Sequence, residues 1–143
     1  ESGVEVDYRQ STAEQLAADK GAAYDVVCCL EMLEHVPDPG AVIAACAALA
    51  KPGGALYFST INRNPKAFAF AIVGAEHILQ LLPAGTHEYA KFIKPSELAG
   101  WMRDAGLVLA GMTGLTYNPL SRRYRLNEKD VSVNYMVHAV KPA

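Results

Sequence analysis

Apolar and polar residues alternate along the chain in several distinct patterns. Val4 to Arg9 (VEVDYR) places an apolar side chain at every second position, the period of a strand. Ser11-Thr12-Ala13-Glu14 leaves that strand, and Leu16 and Ala17 belong to a short helical turn ending near Gly21. Tyr24 to Leu30 (YDVVCCL) is almost continuously apolar, which suits a strand buried on both faces. Asp38-Pro39 then sets an N-cap carboxylate before a proline at the first helical position. Val42, Ile43, Cys46, Leu49 and Ala50 follow at helical spacing. Pro52-Gly53-Gly54 stops this helix and turns the chain into a second buried-type strand, Ala55 to Thr60. A strand, a helix and a strand in that order form a crossover, which implies parallel pairing with a right-handed connection. The predicted class is therefore α/β.

Asn62-Arg63-Asn64-Pro65 is turn chemistry, and the stretch after it, Lys66 to Pro83, is apolar with few breaks. Glu76, His77 and Gln80 interrupt it short of the roughly 20 apolar residues a bilayer span needs. Two readings remain open. It is a core helix that closes the fold, or an amphipathic lid in which Phe68, Phe70, Ile72, Val73, Ile78, Leu79 and Leu82 meet a membrane surface or an apolar substrate, flanked by Lys66, Lys91 and Lys94. Pro95 with Glu97 opens another helix, whose apolar face is Leu98, Trp101, Met102 and Ala105 and whose left-handed cap is Gly106. Trp101 reads as core there. A short strand at Leu107 to Leu109 and a polar excursion from Ser121 to Lys129 precede a last strand, Val133 to Val140, which should pair with the Leu107 to Tyr117 region as an antiparallel edge. His138 reads as a strand histidine without a chemical role.

Composition narrows this picture. The 143 residues are 51% hydrophobic with a formal charge of −2, which suits one soluble globular domain and offers no basic stripe for nucleic acid. Cys28, Cys29 and Cys46 fit no metal or redox spacing, so buried free thiols in a reducing compartment are expected. Glu1 to Ser11 has no basic segment followed by an apolar one and is not a signal peptide. No internal repeat, low-complexity tract or interdomain linker is visible.

The candidate chemistry sits in Leu30 to Asp38 (LEMLEHVPD), directly after the first buried strand. If this stretch turns helically, Glu31, Glu34 and His35 share one face. Two carboxylates and an imidazole make a cation site, an acid/base site, or a solvated acidic loop with a capping histidine. Ligands in open α/β sheets bind outside the carboxyl ends of strands, which favours a site.

A resemblance sharpens this further. LEMLEHVPDP (30–39), KPGG (51–54), STINRN (59–64), VGAE (73–76), GTH (85–87), FIKP (92–95) and GLTYNP (114–119) together resemble the ubiquinone-biosynthesis O-methyltransferases, within the class I S-adenosylmethionine (SAM) methyltransferases. Asp130-Val131 and Val133-Asn134-Tyr135-Met136 extend the likeness towards the C-terminus. It implies a Rossmann-like fold, mostly parallel with an antiparallel last strand, in a single domain over 1–143 with a helical insertion at about 64–90. The glycine-rich SAM loop and the acid that holds the ribose are absent from these residues, so the chain is expected to be the C-terminal two-thirds of a longer enzyme.

By the same resemblance, Thr12, Ala13 and Glu14 flank the adenine of SAM, while Leu30, Glu31 and Met32 lie along its methionine and ribose side. Glu31, Glu34 and His35 match the family's magnesium site. The implied reaction is methylation of a hydroxyl on a polyprenylated phenol or catechol, with Glu34 and His35 catalytic. A divalent ion there would lower the hydroxyl's pKa and orient its oxygen; the alternative within the class is His35 as a base without metal, oriented by Glu34. The resemblance also implies a cytoplasmic enzyme at the inner face of a membrane, peripheral contact through the insertion, and membership of a ubiquinone-biosynthesis complex. A non-catalytic lipid-binding or assembly module is the reading from a different class.

Overall fold

The computed structural model describes residues 3–69, 88–118 and 123–143. Its frame is a five-stranded sheet in the order β1-β2-β5-β3-β4. The strands are β1 (Tyr24–Leu30), β2 (Ala50–Ile61), β3 (Val108–Asn118), β4 (Arg123–Asn127) and β5 (Asn134–Val140). Among the described residues four helices accompany them, α1 (Ala13–Asp19), α2 (Pro39–Leu49), a single turn α3 (Pro65–Ala67) and α4 (Pro95–Asp104). Short 3-10 turns lie at Leu33–His35 and Tyr89–Lys91.

The crossover forms as its sequence demands. Asp38 caps α2 by accepting from the Ala41 N–H at 3.0 Å, and β1 and β2 run parallel with Val27 opposite Leu56 and Cys29 opposite Phe58. Gly53 takes a positive φ of 77°, and a Cβ on Gly54 would stand 2.8 Å from the Lys51 carbonyl oxygen, so the glycine pair is what lets the chain turn inside β2, ahead of the Ala55 to Ile61 stretch that pairs with β5. Val42, Ile43 and Cys46 of α2 and Leu98 and Met102 of α4 bury against Leu56, Phe58, Val137 and Ala139 of the sheet. That is the core.

Four expectations change. First, Val4 to Arg9 forms no strand and pairs with none among the described residues, and Tyr8 is 89% exposed; an alternating pattern makes a strand only where a neighbouring ladder accepts it. Second, β1 is buried on one face only: Cys29 is covered, whereas Val26 is 54% exposed and Cys28 is exposed too, because the helices of the described residues pack on one side of the sheet. The expectation of buried thiols therefore fails at Cys28.

Third, β5 is no edge. It lies between β2 and β3 and is antiparallel to both, so although β1, β2 and β3 point the same way, three of the four pairings are antiparallel. Fourth, part of the polar excursion is β4, which forms a hairpin with β3 in the register Leu115 to Leu126 and Tyr117 to Tyr124. β3 itself continues past Leu109 to Asn118, with a register shift between Leu109 and Gly111. Of its two glycines, Gly114 is where other backbone comes close, at Asp130, whereas a Cβ on Gly111 would meet nothing within 4 Å.

No helix of the described residues is long and apolar enough to cross a membrane. Of the insertion residues singled out above, Phe70, Ile72, Val73, Ile78, Leu79 and Leu82 lie outside the described residues. Phe68 is described: it is partly exposed and meets Tyr89 edge-on, with ring centroids 5.5 Å apart.

Candidate active site

The site is assembled at the carboxyl ends of β1 and β2. β1 ends at Leu30, and Glu31 follows with φ +51°, a left-handed conformation that turns the chain off the sheet. Two acceptors on β2, the Ser59 carbonyl and hydroxyl oxygens, each take the Glu31 N–H at 3.1 Å and hold this kink. The turn Leu33–His35 follows, closed by the His35 N–H donating to the Met32 carbonyl at 2.9 Å. A 3-10 turn this short does not carry one face through five residues.

The three candidate side chains therefore separate. Glu34 points inward and is only 3% exposed, accepting from the Thr60 hydroxyl at 2.8 Å. Glu31 and His35 are exposed, and Glu31 accepts from the Asn134 side-chain amide at 3.3 Å. Among the described residues no group of three His, Cys, Asp or Glu side chains stands close enough to hold a metal ion. The donor set expected for magnesium is not gathered.

Around Glu34 the surroundings are polar on one side and apolar on the other. The buried Tyr135 hydroxyl donates to the Ile93 carbonyl at 2.9 Å. Burial, reinforced by the nearby charges of Glu97 and Glu34, pushes this phenol far above its ordinary range, so it stays a neutral donor. Arg63 bridges the Glu97 carboxylate and the Ala90 carbonyl, and Glu97 also accepts from the Lys94 N–H at 2.8 Å at the start of α4. The segment returning from the insertion is thereby tied to α4. Asn62 and Asn64 donate to the Val131 and Ser132 carbonyls at 3.0 and 2.7 Å, which fixes the loop after β2 to the approach to β5.

The residues assigned to the cofactor fall in two places. Leu30, Glu31 and Met32 are exposed at the carboxyl end of β1, where apolar side chains and a carboxylate are accessible to a nucleoside-bearing ligand. Thr12 caps α1, its hydroxyl accepting from the Gln15 N–H at 3.2 Å, and Glu14 lies in the first turn. Ala13 packs on the core beside α2, and the charge of Glu14 reaches the buried Cys46. Hydrogen bonding to Cys29, with burial added, raises the Cys46 thiol well above its usual range. The sequence reading passed over Thr60, Arg63, Glu97 and Tyr135 as site residues. A threonine closing a buried strand and an arginine inside turn chemistry were the available signals.

Comparison with known proteins agrees with this frame. The family model described as "Methyltransferase domain" matches residues 3–110. The chain is 67% identical over 141 residues to the ubiquinone biosynthesis O-methyltransferase of Saccharophagus degradans and 66% identical over 141 residues to that of Stutzerimonas stutzeri. In each case 99% of this chain and 60% of the relative is covered, so the chain spans about three-fifths of the length of the curated relatives it matches. Among solved structures, a SAM-dependent methyltransferase from Thermotoga maritima superposes with a TM-score of 0.63 at 20% identity, covering 85% of this chain and 58% of that one. Magnesium protoporphyrin IX methyltransferase from Synechocystis, solved with bound SAH, gives 0.55 at 23% identity, covering 87% and 48%. These likenesses confirm the α/β Rossmann-like fold, and a family match running over 108 of the 143 residues makes this chain a member of the methyltransferase-domain family.

Proposed function

We propose that the chain is part of a SAM-dependent O-methyltransferase that methylates a hydroxyl of a polyprenylated phenol or catechol in ubiquinone biosynthesis. The observation that carries this is the 67% and 66% identity, over nearly the whole chain, to two enzymes of that name. A phenol with a pKa of about 10 is mostly protonated at neutral pH, so its oxygen needs a proton acceptor as it attacks. SAM supplies a methyl group whose bond to a positively charged sulfur breaks as the phenolic oxygen bonds to carbon, leaving a neutral thioether. Glu34 is the proton acceptor best supported by the geometry, since it is the inward-facing carboxyl and Thr60 fixes its orientation. His35 stands one position further on, at the exposed rim, where it can pass that proton to solvent. Leu30, Glu31 and Met32, with the Thr12 to Glu14 segment, are the proposed contacts to the cofactor.

No step is assigned to magnesium, because Glu31, Glu34 and His35 are not gathered into a donor set. Magnesium titration of the full-length protein by calorimetry, with and without Glu31→Ala, tests whether they gather on binding; equal affinity in the two proteins removes Glu31 from any ion. Peripheral contact with the inner face of a membrane through the insertion, and a place in a biosynthetic complex, are part of the same proposal. Vesicle co-sedimentation with and without residues 66–83 tests the membrane contact. The central experiment is transfer of labelled methyl from SAM to a short-chain polyprenylcatechol by the full-length protein. Labelled ether is the expected product, and its absence with every phenol tried overturns the reading.

A further inference from the structure

The β3–β4 hairpin differs from the rest of the sheet in what it leaves uncovered. β5 begins at Asn134, opposite Leu115, so among the described residues Thr116 to Asn118 of β3 pair only with β4. A strand rises about 3.4 Å per residue, so this two-stranded ribbon runs on for about 10 Å past the level where β5 starts. It does so at the end of the sheet where the candidate site lies, because β3 points the same way as β1 and β2.

Its side chains form two rows. Tyr117 and Tyr124 pair across the strands with ring centroids 4.8 Å apart, and Leu126 stands on the same side as Tyr124; these last two are 67% and 66% exposed. Arg123 and Arg125 alternate with them on the opposite side, both exposed, and neither takes part in an ion pair among the described residues. No side chain of β4 is buried, so its tyrosine and leucine add nothing to the core and form a surface patch at the outer edge of the sheet.

The chemistry of the patch selects its partner. Tyrosine suits a boundary that is apolar on one side and wet on the other, and arginine lays its stem along apolar surface while its head reaches an anion. Both rows reach one plane when the outer strand approaches edge-on, and the free N–H and C=O groups of that edge then meet polar headgroups and water. A second copy of the chain fits less well, because pairing edge to edge would set the arginines of both copies along one seam.

We propose that the outer edge of the β3–β4 ribbon is a docking surface for a phospholipid bilayer with anionic headgroups. Tyr124 and Leu126 enter the interface, and Arg123 and Arg125 pair with lipid phosphate. This surface is separate from the insertion. It rests on the O-methyltransferase reading only in that a polyprenylated substrate would then reach the site from the same end of the sheet.

The test is co-sedimentation of the full-length protein with vesicles of phosphatidylcholine, alone or enriched in phosphatidylglycerol, at low and at high salt. Binding to the anionic vesicles that weakens with salt is the expected result. An arginine near such a surface contributes about fivefold, so Arg123→Glu combined with Arg125→Glu should lower the partition about 25-fold or more. Tyr124→Ser should lower it several-fold, and both proteins should melt within a few degrees of the parent because these side chains bury nothing. Tyr124→Trp locates the contact: its added emission, taken as the difference from the parent, should shift to the blue on anionic vesicles and be quenched by brominated lipid. Equal pelleting of the parent and the double variant, or an unshifted and unquenched emission from position 124, overturns the proposal. So does the absence of pelleting with either vesicle, which would leave an acidic protein as the partner of the patch. The two readings fail separately. Transfer of methyl to a water-soluble catechol needs no vesicle, so binding without transfer removes the enzymatic reading, whereas transfer without binding removes the docking surface alone.

Discussion

The two halves of the sheet are built on different principles. β1, α2 and β2 form a local crossover, closed within 38 residues, and every candidate chemical group of the Leu30 to Asp38 stretch hangs from its carboxyl end. β5, β3 and β4 form an antiparallel half in which β5 reaches back over a long stretch of chain to β2, and what this half and its approach lend to the site is support: the Tyr135 hydroxyl to Ile93, Asn134 to Glu31, and the carbonyls of Val131 and Ser132 to Asn62 and Asn64. The difference teaches where to look for function and where for stability. Changes in the first half should be felt in turnover, and changes in the second in melting temperature.

The sharpest test of that division is Glu34→Gln in the full-length protein. The amide oxygen still accepts from Thr60, so the melting temperature should stay within a few degrees, while loss of the proposed proton acceptor should lower turnover about 100-fold or more. Its counterpart in the antiparallel half is His138→Gln. His138 stacks on Tyr57 with ring centroids 4.8 Å apart, and turnover should remain within about twofold. A loss at His138 equal to that at Glu34 would break the division.

Gly114→Ala probes the opposite side of it. A Cβ there would stand 1.6 Å from the Asp130 carbonyl oxygen, and both groups are backbone, so neither can swing aside. Overpacking of this severity should cost about 3 kcal/mol or more and lower the melting temperature by roughly 6–12 °C. An unchanged melting temperature would mean that the Asp130 loop does not cross Gly114 in solution. Tyr135→Phe is milder. It removes the donor to the buried Ile93 carbonyl, a loss of about 1–2 kcal/mol in thermal unfolding, and it should leave KM and kcat nearly alone. A large fall in kcat without loss of stability would move Tyr135 from support into the chemistry.

The same division decides what was legible in the sequence. The crossover could be read because its signals are local: Asp38 and Pro39 at the start of α2, Gly53 and Gly54 in the turn shortly after its end, and the helix positions Val42, Ile43, Cys46 and Leu49, which are all buried. The antiparallel half was read poorly because a strand such as β4, with Arg123, Tyr124 and Arg125 all exposed, carries no burial pattern and exists only through its register with β3. In the site, the type and order of the residues were visible but their directions were not. Nothing in the spacing of Glu31, Glu34 and His35 reveals that Glu31 adopts a left-handed φ and that the turn behind it is too short to carry one face. Trp101 packs against the core as helical periodicity assigns it, but the groove beside it appears only once Phe92 and Ile93 are placed from elsewhere in the chain.

The smallest expected effect lies at the surface seam where the two halves meet beside α3. Ser132 donates to Asp130 through its hydroxyl and its N–H, and Lys66 donates to the same carboxylate at 3.1 Å. The Ser132 bonds, followed by Lys66, hold the Asp130 carboxyl at about 2, below the value near 3.9 of an unfolded chain. A carboxyl whose pKa is lower in the folded state stabilises the fold fully above about pH 4, and that contribution is lost as pH falls towards 2. Because the group is accessible to solvent, the part due to Lys66 is screened by salt and the total should be modest. Asp130→Asn should therefore melt slightly below the parent protein at neutral pH, with the gap closing as pH falls through about 4 to 2. Added salt should narrow the gap at neutral pH without removing it, since the Ser132 bonds remain. A gap that keeps its size down to about pH 2 would show that the seam is held by the shape of the loop and not by the carboxylate.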